Sequence, residues 1–208
     1  SFFITGGTGL FGNWILSYFE WLLQNKKASP RVILLNRKKD NLISKSFIKN
    51  IIGDIKNFEL PKDKIDFLMH LAAPSAIDTF NGMEDLEKIN QLFLGSQNII
   101  NFAKKNIIRR TLFTSSGAIY GGFPSNYNVP ITEECRMSPL SIENAAGLAI
   151  GKKISETLFS IAGKKGDIDV SIARCFSFIG PGLPFDIHYA IGNFVNNIIE
   201  NKNIKING

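Results

Sequence analysis

A glycine-rich turn, Thr5-Gly6-Gly7-Thr8-Gly9-Leu10-Phe11-Gly12, constrains this chain more than any other stretch. It follows the apolar run Phe2-Phe3-Ile4 and precedes a segment where Trp14, Ile15, Tyr18, Phe19 and Leu22 recur at helical spacing. A strand therefore enters a tight turn and leaves it as an amphipathic helix over residues 10–24. Glycine allows the tight turn and a close backbone approach to a ligand. The helix opening at Leu10 and Phe11 offers N–H groups without intrahelical acceptors, and its dipole favours an anion. Gly6, Gly9 and Gly12 follow the spacing GxxGxxG, while Gly7, Gly9 and Gly12 follow GxGxxG. Both spacings suit a strand–turn–helix unit that holds a pyrophosphate.

The rest of the chain alternates in the same way. Aliphatic or aromatic runs predict strands over residues 31–35, 47–52, 66–71, 111–114 and 170–175. Helical spacing predicts helices over 83–105 and 141–162, the first with Leu86, Ile89, Phe93, Ile99, Ile100 and Ala103 on or near its inner face. Strands alternating with helices give an α/β fold, a doubly wound parallel sheet covered on both faces. Residues 121–139 are rich in Gly, Pro, Ser and Asn and predict a long loop, which in such domains is often functional.

Composition narrows the class of function. Of 208 residues, 44% are hydrophobic and 20% charged, the balance of a soluble globular protein. No apolar run approaches the roughly 18 residues that span a bilayer, so no membrane partner is expected. The first residues lack a basic n-region, so no secretory leader is expected. The two cysteines, Cys135 and Cys175, form no CxxC and no metal-ligand spacing. A reduced, cytoplasmic compartment and no metal follow as expectations. The formal charge of +6 comes from dispersed pairs such as Lys104-Lys105 and Lys152-Lys153, without interleaved aromatics. That argues against nucleic acid and suits a small anionic ligand.

Further motifs follow the glycine turn: Gly53-Asp54-Ile55, His70-Leu71-Ala72-Ala73-Pro74-Ser75, Asn90, Phe113-Thr114-Ser115-Ser116-Gly117-Ala118-Ile119-Tyr120-Gly121, and Arg174 to Gly180-Pro181-Gly182. In this order they resemble the extended short-chain dehydrogenases/reductases, which include nucleotide-sugar epimerases, dehydratases and decarboxylases. The resemblance implies a Rossmann-like domain over residues 1–180 and the start of a small C-terminal substrate lobe over 181–208, the rest of which would lie past Gly208. It implies NAD or NADP as cofactor and a sugar nucleotide as substrate, with a homodimer as the assembly. The cofactor would lie along Gly6, Gly9, Leu10, Phe11, Gly12, Asn36, Arg37, Asp54, Ile55, Leu71, Ala72, Ala73, Ser75, Asn90, Thr114, Lys152 and Cys175. Asp54 would contact the adenine, or it caps a turn. His70, set in an apolar run, reads as a packed core residue. Asn36 bonds a ribose 2′-hydroxyl without repelling a phosphate, and Arg37 pairs with a 2′-phosphate, so NAD and NADP both stay open. Ser116, with Ser115 beside it, matches the active-site hydroxyl, and His188 and Asn193 match the region that holds the nucleotide diphosphate.

The helix after the long loop departs from the family pattern. The chemistry there rests on Tyr-x-x-x-Lys, which stacks both side chains one turn apart. The ammonium lowers the tyrosine pKa so that the phenol works as acid or base near neutral pH. Glu156, four residues after Lys152, selects that lysine, and the tyrosine position falls on Leu148. Leucine transfers no proton. Lys152 remains for the nicotinamide ribose hydroxyls, and Ser116 and Lys152 are the catalytic candidates. Two readings stay open: an NAD(P)-dependent sugar-nucleotide epimerase or dehydratase working through a transient keto-sugar, or a non-catalytic NAD(P)-binding sensor or scaffold.

Overall fold

The computed structural model describes residues 1–39, 42–59, 61–74, 78, 81–122, 130–139, 146–185, 190–204 and 206. Its strands are β1 (Phe2–Thr5), β2 (Val32–Asn36), β3 (Ile48–Ile52), β4 (Phe67–His70), β5 (Arg110–Ser116) and β6 (Val170–Cys175). They form one six-stranded sheet in the order β3-β2-β1-β4-β5-β6, with every described pairing parallel. The expected doubly wound sheet is therefore present. The order reverses between β1 and β4, so the crevice outside their carboxyl ends is the place where such sheets bind ligands.

The helices are α1 (Leu10–Gln24), α2 (Asp85–Asn106), α3 (Gly147–Lys164) and α4 (Ala190–Ile199), with a 3₁₀ turn at Gly117–Tyr120. Successive strand residues face opposite sides of the sheet, and both sides are covered. Ile4, Val32 and Leu34 pack with Leu16 and Phe19 of α1. Phe3, Ile33, Leu68 and Phe113 pack with Ile99 and Phe102 of α2 and Phe159 of α3. This double covering explains why the strands read as continuous apolar runs.

Two helix phases differ from expectation. Tyr18, part of the apolar spacing of the first helix, and Leu86, expected on or near the inner face of the second, are 56% and 67% exposed. In α1 the buried stripe is Gly12, Leu16 and Phe19, spaced by four and three residues. Tyr18 falls outside it and stacks on Trp21 with ring centroids 6.0 Å apart. In α2 the buried side is set by Lys88, Leu92, Gly95, Ser96 and Ile99. A β-carbon on Gly147 would lie 2.5 Å from the Asp85 Cα, and one on Gly151 would lie 2.6 Å from Leu92 Cδ1. These glycines let α3 approach α2 closely and fix the rotation of both. Strand β5 runs two residues past the expected end because Ser115 and Ser116 pair with Arg174 and Cys175. The part of the expected 141–162 helix at residues 141–145 lies outside the described residues.

Candidate functional site

The glycine turn sits at the carboxyl end of β1, beside the switch point. Gly6 has φ of +74°, and a β-carbon there would lie 2.6 Å from the Ala72 backbone nitrogen, so only glycine fits the turn. A β-carbon on Gly12 would lie 2.3 Å from the Gly7 Cα, which holds the turn tightly against α1. Gly9 is different. It is exposed, and the nearest atom to a β-carbon there would be the Gly6 carbonyl oxygen at 3.4 Å. Gly9 is the N-cap of α1 and offers no side-chain cap, and the first turn carries no acid. The N–H groups of Leu10, Phe11 and Gly12 have no intrahelical acceptor. A cradle that a side chain at residue 9 would fill, lined by N–H donors and a positive dipole end, fits a pyrophosphate.

The floor of the crevice is a hydrogen-bonded seam between β1, β4 and β5. The Thr5 hydroxyl lies 2.8 Å from His70 Nδ1 and accepts from the Ala72 N–H at 3.3 Å. The Thr114 hydroxyl donates to the His70 carbonyl at 3.2 Å. Burial and then the Lys152 charge push the His70 pKa down to about 3. The ring is neutral, stacks on Phe113 at 5.6 Å, and serves as a core residue. Leu71 is buried and Ala72 and Ala73 are half-buried along this seam, while Ser75 lies outside the described residues.

At the β2 end, the buried Asn36 donates its amide to Asn50 Oδ1 at 2.9 Å. Arg37, the next residue, pairs with Asp78 at 3.8 Å. Asp54 is exposed, and its Oδ1 accepts the Lys56 N–H at 2.8 Å. The turn-capping role is thus visible in the structure. Ile55 is buried against Gly95, whose β-carbon would lie 3.1 Å from Ile55 Cγ2. Asn90 lies on the exposed side of α2, and Leu92, two positions and about 200° further round the helix, is turned inward.

A second cluster forms where β5, the 3₁₀ turn, α3 and β6 meet. Lys152 is 4% exposed. Its ammonium donates to the Thr114 carbonyl at 2.5 Å and lies 4.9 Å from the centroid of the Phe113 ring. Burial lowers its pKa to about 8. The Ser116 hydroxyl accepts the Ala118 N–H at 3.1 Å and borders a cleft of about 320 Å³ with Cys175, Phe176 and Ser177. Cys175 pairs with Ser116 across the two strands, and burial raises its thiol pKa. On the α3 face of the sheet, Arg174 Nε donates to both Glu156 oxygens, at 3.1 and 3.2 Å, and Nη1 donates to the Tyr120 hydroxyl at 2.5 Å. Burial alone would raise the Glu156 carboxyl, but the Arg174 hydrogen bonds and charge outweigh it and hold it ionised. Ser115 lies beside that carboxylate without closing a full hydrogen bond. Leu148 is half-buried, one turn before Lys152.

The structure thus brings Ser116, Lys152, Thr114 and Cys175 to one sheet end. Asn193 is half-buried in α4, and His188 lies outside the described residues. Sequence reasoning missed Asp78 and the Tyr120–Arg174 bond, both of which depend on segments far apart in sequence. Among the described residues, no helix is long and apolar enough to cross a membrane.

The sequence model described as the NAD dependent epimerase/dehydratase family matches residues 2–208. UDP-glucuronic acid decarboxylase 5 of Arabidopsis thaliana is 25% identical over 213 residues, covering 98% of this chain and 58% of the relative. UDP-glucose 4-epimerase of Rickettsia canadensis is 32% identical over 126 residues, covering 56% of this chain and 37% of the relative. Among solved structures, dTDP-glucose 4,6-dehydratase from Streptomyces venezuelae, with NAD and TYD bound, superposes with a TM-score of 0.75. It is 21% identical over 96% of this chain and 62% of its own. UDP-glucuronic acid 4-epimerase from Bacillus cereus, in complex with NAD, gives a TM-score of 0.74 at 22% identity, covering 98% of this chain and 63% of its own. At these identities the likeness is one of fold. The chain spans less than two thirds of the length of these relatives.

Proposed function

Because this chain belongs to the NAD-dependent epimerase/dehydratase family, we propose that it binds NAD(P) across the switch point and acts on a sugar nucleotide through a transient keto-sugar. The observation that carries this reading is the uncapped helix end at Gly9, opening on the same sheet edge as Ser116 and Lys152. When bound, the nicotinamide supplies a hydride acceptor and donor. The chain supplies the rest. Backbone N–H groups at Leu10 to Gly12 hold the pyrophosphate. The Ser116 hydroxyl, at the mouth of the cleft, orients a sugar hydroxyl. The Lys152 ammonium, pinned to the Thr114 carbonyl, would supply positive charge to the nicotinamide ribose hydroxyls. Residues 181–208 begin the lobe that receives the nucleotide.

Proton transfer is the weak step. Leu148 occupies the place of the tyrosine and holds no proton, and a positioned acid or base is worth about 10²–10⁴-fold. The protein therefore turns over slowly, and Leu148→Tyr raises turnover of UDP- or dTDP-sugars without tightening the dinucleotide. A product assay over a sugar-nucleotide panel, run on both forms, tests this. Fast turnover by the leucine form would show that another group moves the proton. Leu148 also favours a second reading, a protein that holds NAD(P) without turnover. Silence from both forms, with the whole substrate lobe present and dinucleotide bound, would select it.

A further inference from the structure

We propose that Asp78 sets the cofactor preference of this site, favouring NAD over NADP by holding Arg37 and by opposing a 2′-phosphate. The inference rests on the reading that the glycine turn holds a nicotinamide dinucleotide. Arg37 directly follows β2, and Asp78 lies eight residues past the end of β4. These strands flank β1 on opposite sides, about 10 Å apart at ordinary strand spacing. The Arg37–Asp78 pair, at 3.8 Å, therefore spans the end of β1, above the point where the chain turns into Gly6. The two side chains are 55% and 28% exposed, so both are open to solvent and not buried in the core.

In Rossmann sites, an acid near the end of the second strand bonds the ribose 2′-hydroxyl of NAD, and a nearby arginine accommodates the 2′-phosphate of NADP. Here the last residue of β2 is Asn36, and its amide is directed at Asn50. Among the described residues, the end of β2 thus carries an arginine and no carboxylate of its own. Asp78 brings a carboxylate to the same place from the β4 side. A 2′-phosphate reaching Arg37 must displace Asp78 and then sit beside it, two like charges a few ångströms apart. A 2′-hydroxyl meets neither cost. Lys38 and Lys39, both exposed, follow Arg37 and add positive charge next to it, so among the described residues the discrimination comes from the Asp78 carboxylate.

Calorimetric titration of NAD and NADP against wild type, Asp78→Asn, Arg37→Ala and the double variant tests the proposal, with Asp78→Ser as a second carboxylate deletion and thermal melts as the folding control. Wild type should bind NAD more tightly than NADP. Asp78→Asn and Asp78→Ser should tighten NADP about tenfold, the scale of one charge-assisted contact, and change NAD less than threefold. In the Arg37→Ala background the gain should vanish. An unchanged NAD-to-NADP ratio in both Asp78 variants, or a wild type that prefers NADP, would overturn the proposal. Failure of folded wild type to bind either dinucleotide would overturn the glycine-turn reading, and this inference with it.

Discussion

Lys152 carries the sharpest residue-scale consequence. Its side chain leaves water, and among the described residues its ammonium donates to the Thr114 carbonyl. Burial moves its pKa from 10.5 to about 8, which opposes the protonated folded form by roughly 3 kcal/mol. In the unfolded chain the lysine keeps its proton up to about pH 10.5. Between pH 8 and 10.5 the folded state therefore binds fewer protons, and this group makes stability rise with pH. Denaturant unfolding of wild type and Lys152→Met at pH 7 and pH 10 checks the sign. The wild type should gain relative to the variant by up to about 3 kcal/mol across that interval, and a constant difference would mean that the ammonium is better solvated than its burial implies. His70 behaves differently. With a pKa of about 3, it stays neutral across the working range and contributes no switch near pH 6.

At the scale of elements, the approach of α3 to α2 decides where Lys152 lies. Gly147 backs directly on the Asp85 backbone, and Asp85 in turn bonds Lys88 at 2.9 Å. Gly147→Ala places a methyl group 2.5 Å from the Asp85 Cα, a contact that backbone must yield to. Removing a helical glycine gains at most about 1 kcal/mol, whereas overpacking costs about 1–3 kcal/mol, so the clash wins. A calorimetric scan should show the melting temperature falling by a few degrees, as expected for a chain of this size. An unchanged or raised melting temperature would show that the two helices have room to part. The same contact bears on Leu148, one position after Gly147. A helix held this close leaves no freedom to rotate another residue into the tyrosine position.

At the scale of the whole molecule, what was legible in the sequence follows from what constrains backbone. Gly6 and Gly12 were visible because a positive φ and a close backbone contact admit little else, and Gly9 because it completes their spacing and leaves the cradle open. The strands were visible because Ile4 and Phe3 both face apolar layers. Helix phase was less legible: Leu86 and Leu92 look alike in sequence, and only the approach of α3 decides which is buried. Asp78 gave no signal, since its meaning depends on Arg37 across the end of β1. Tyr120 was readable as a motif residue, but not as the partner of Arg174. The central claim, that the switch point holds a nicotinamide dinucleotide over Gly9, is tested most directly by titrating NAD into wild type and Gly9→Val in the calorimeter. One dinucleotide should bind per wild-type chain, with no measurable binding to a Gly9→Val protein that still melts cooperatively, because the valine fills the cradle. Equal affinity in the two proteins would contradict it.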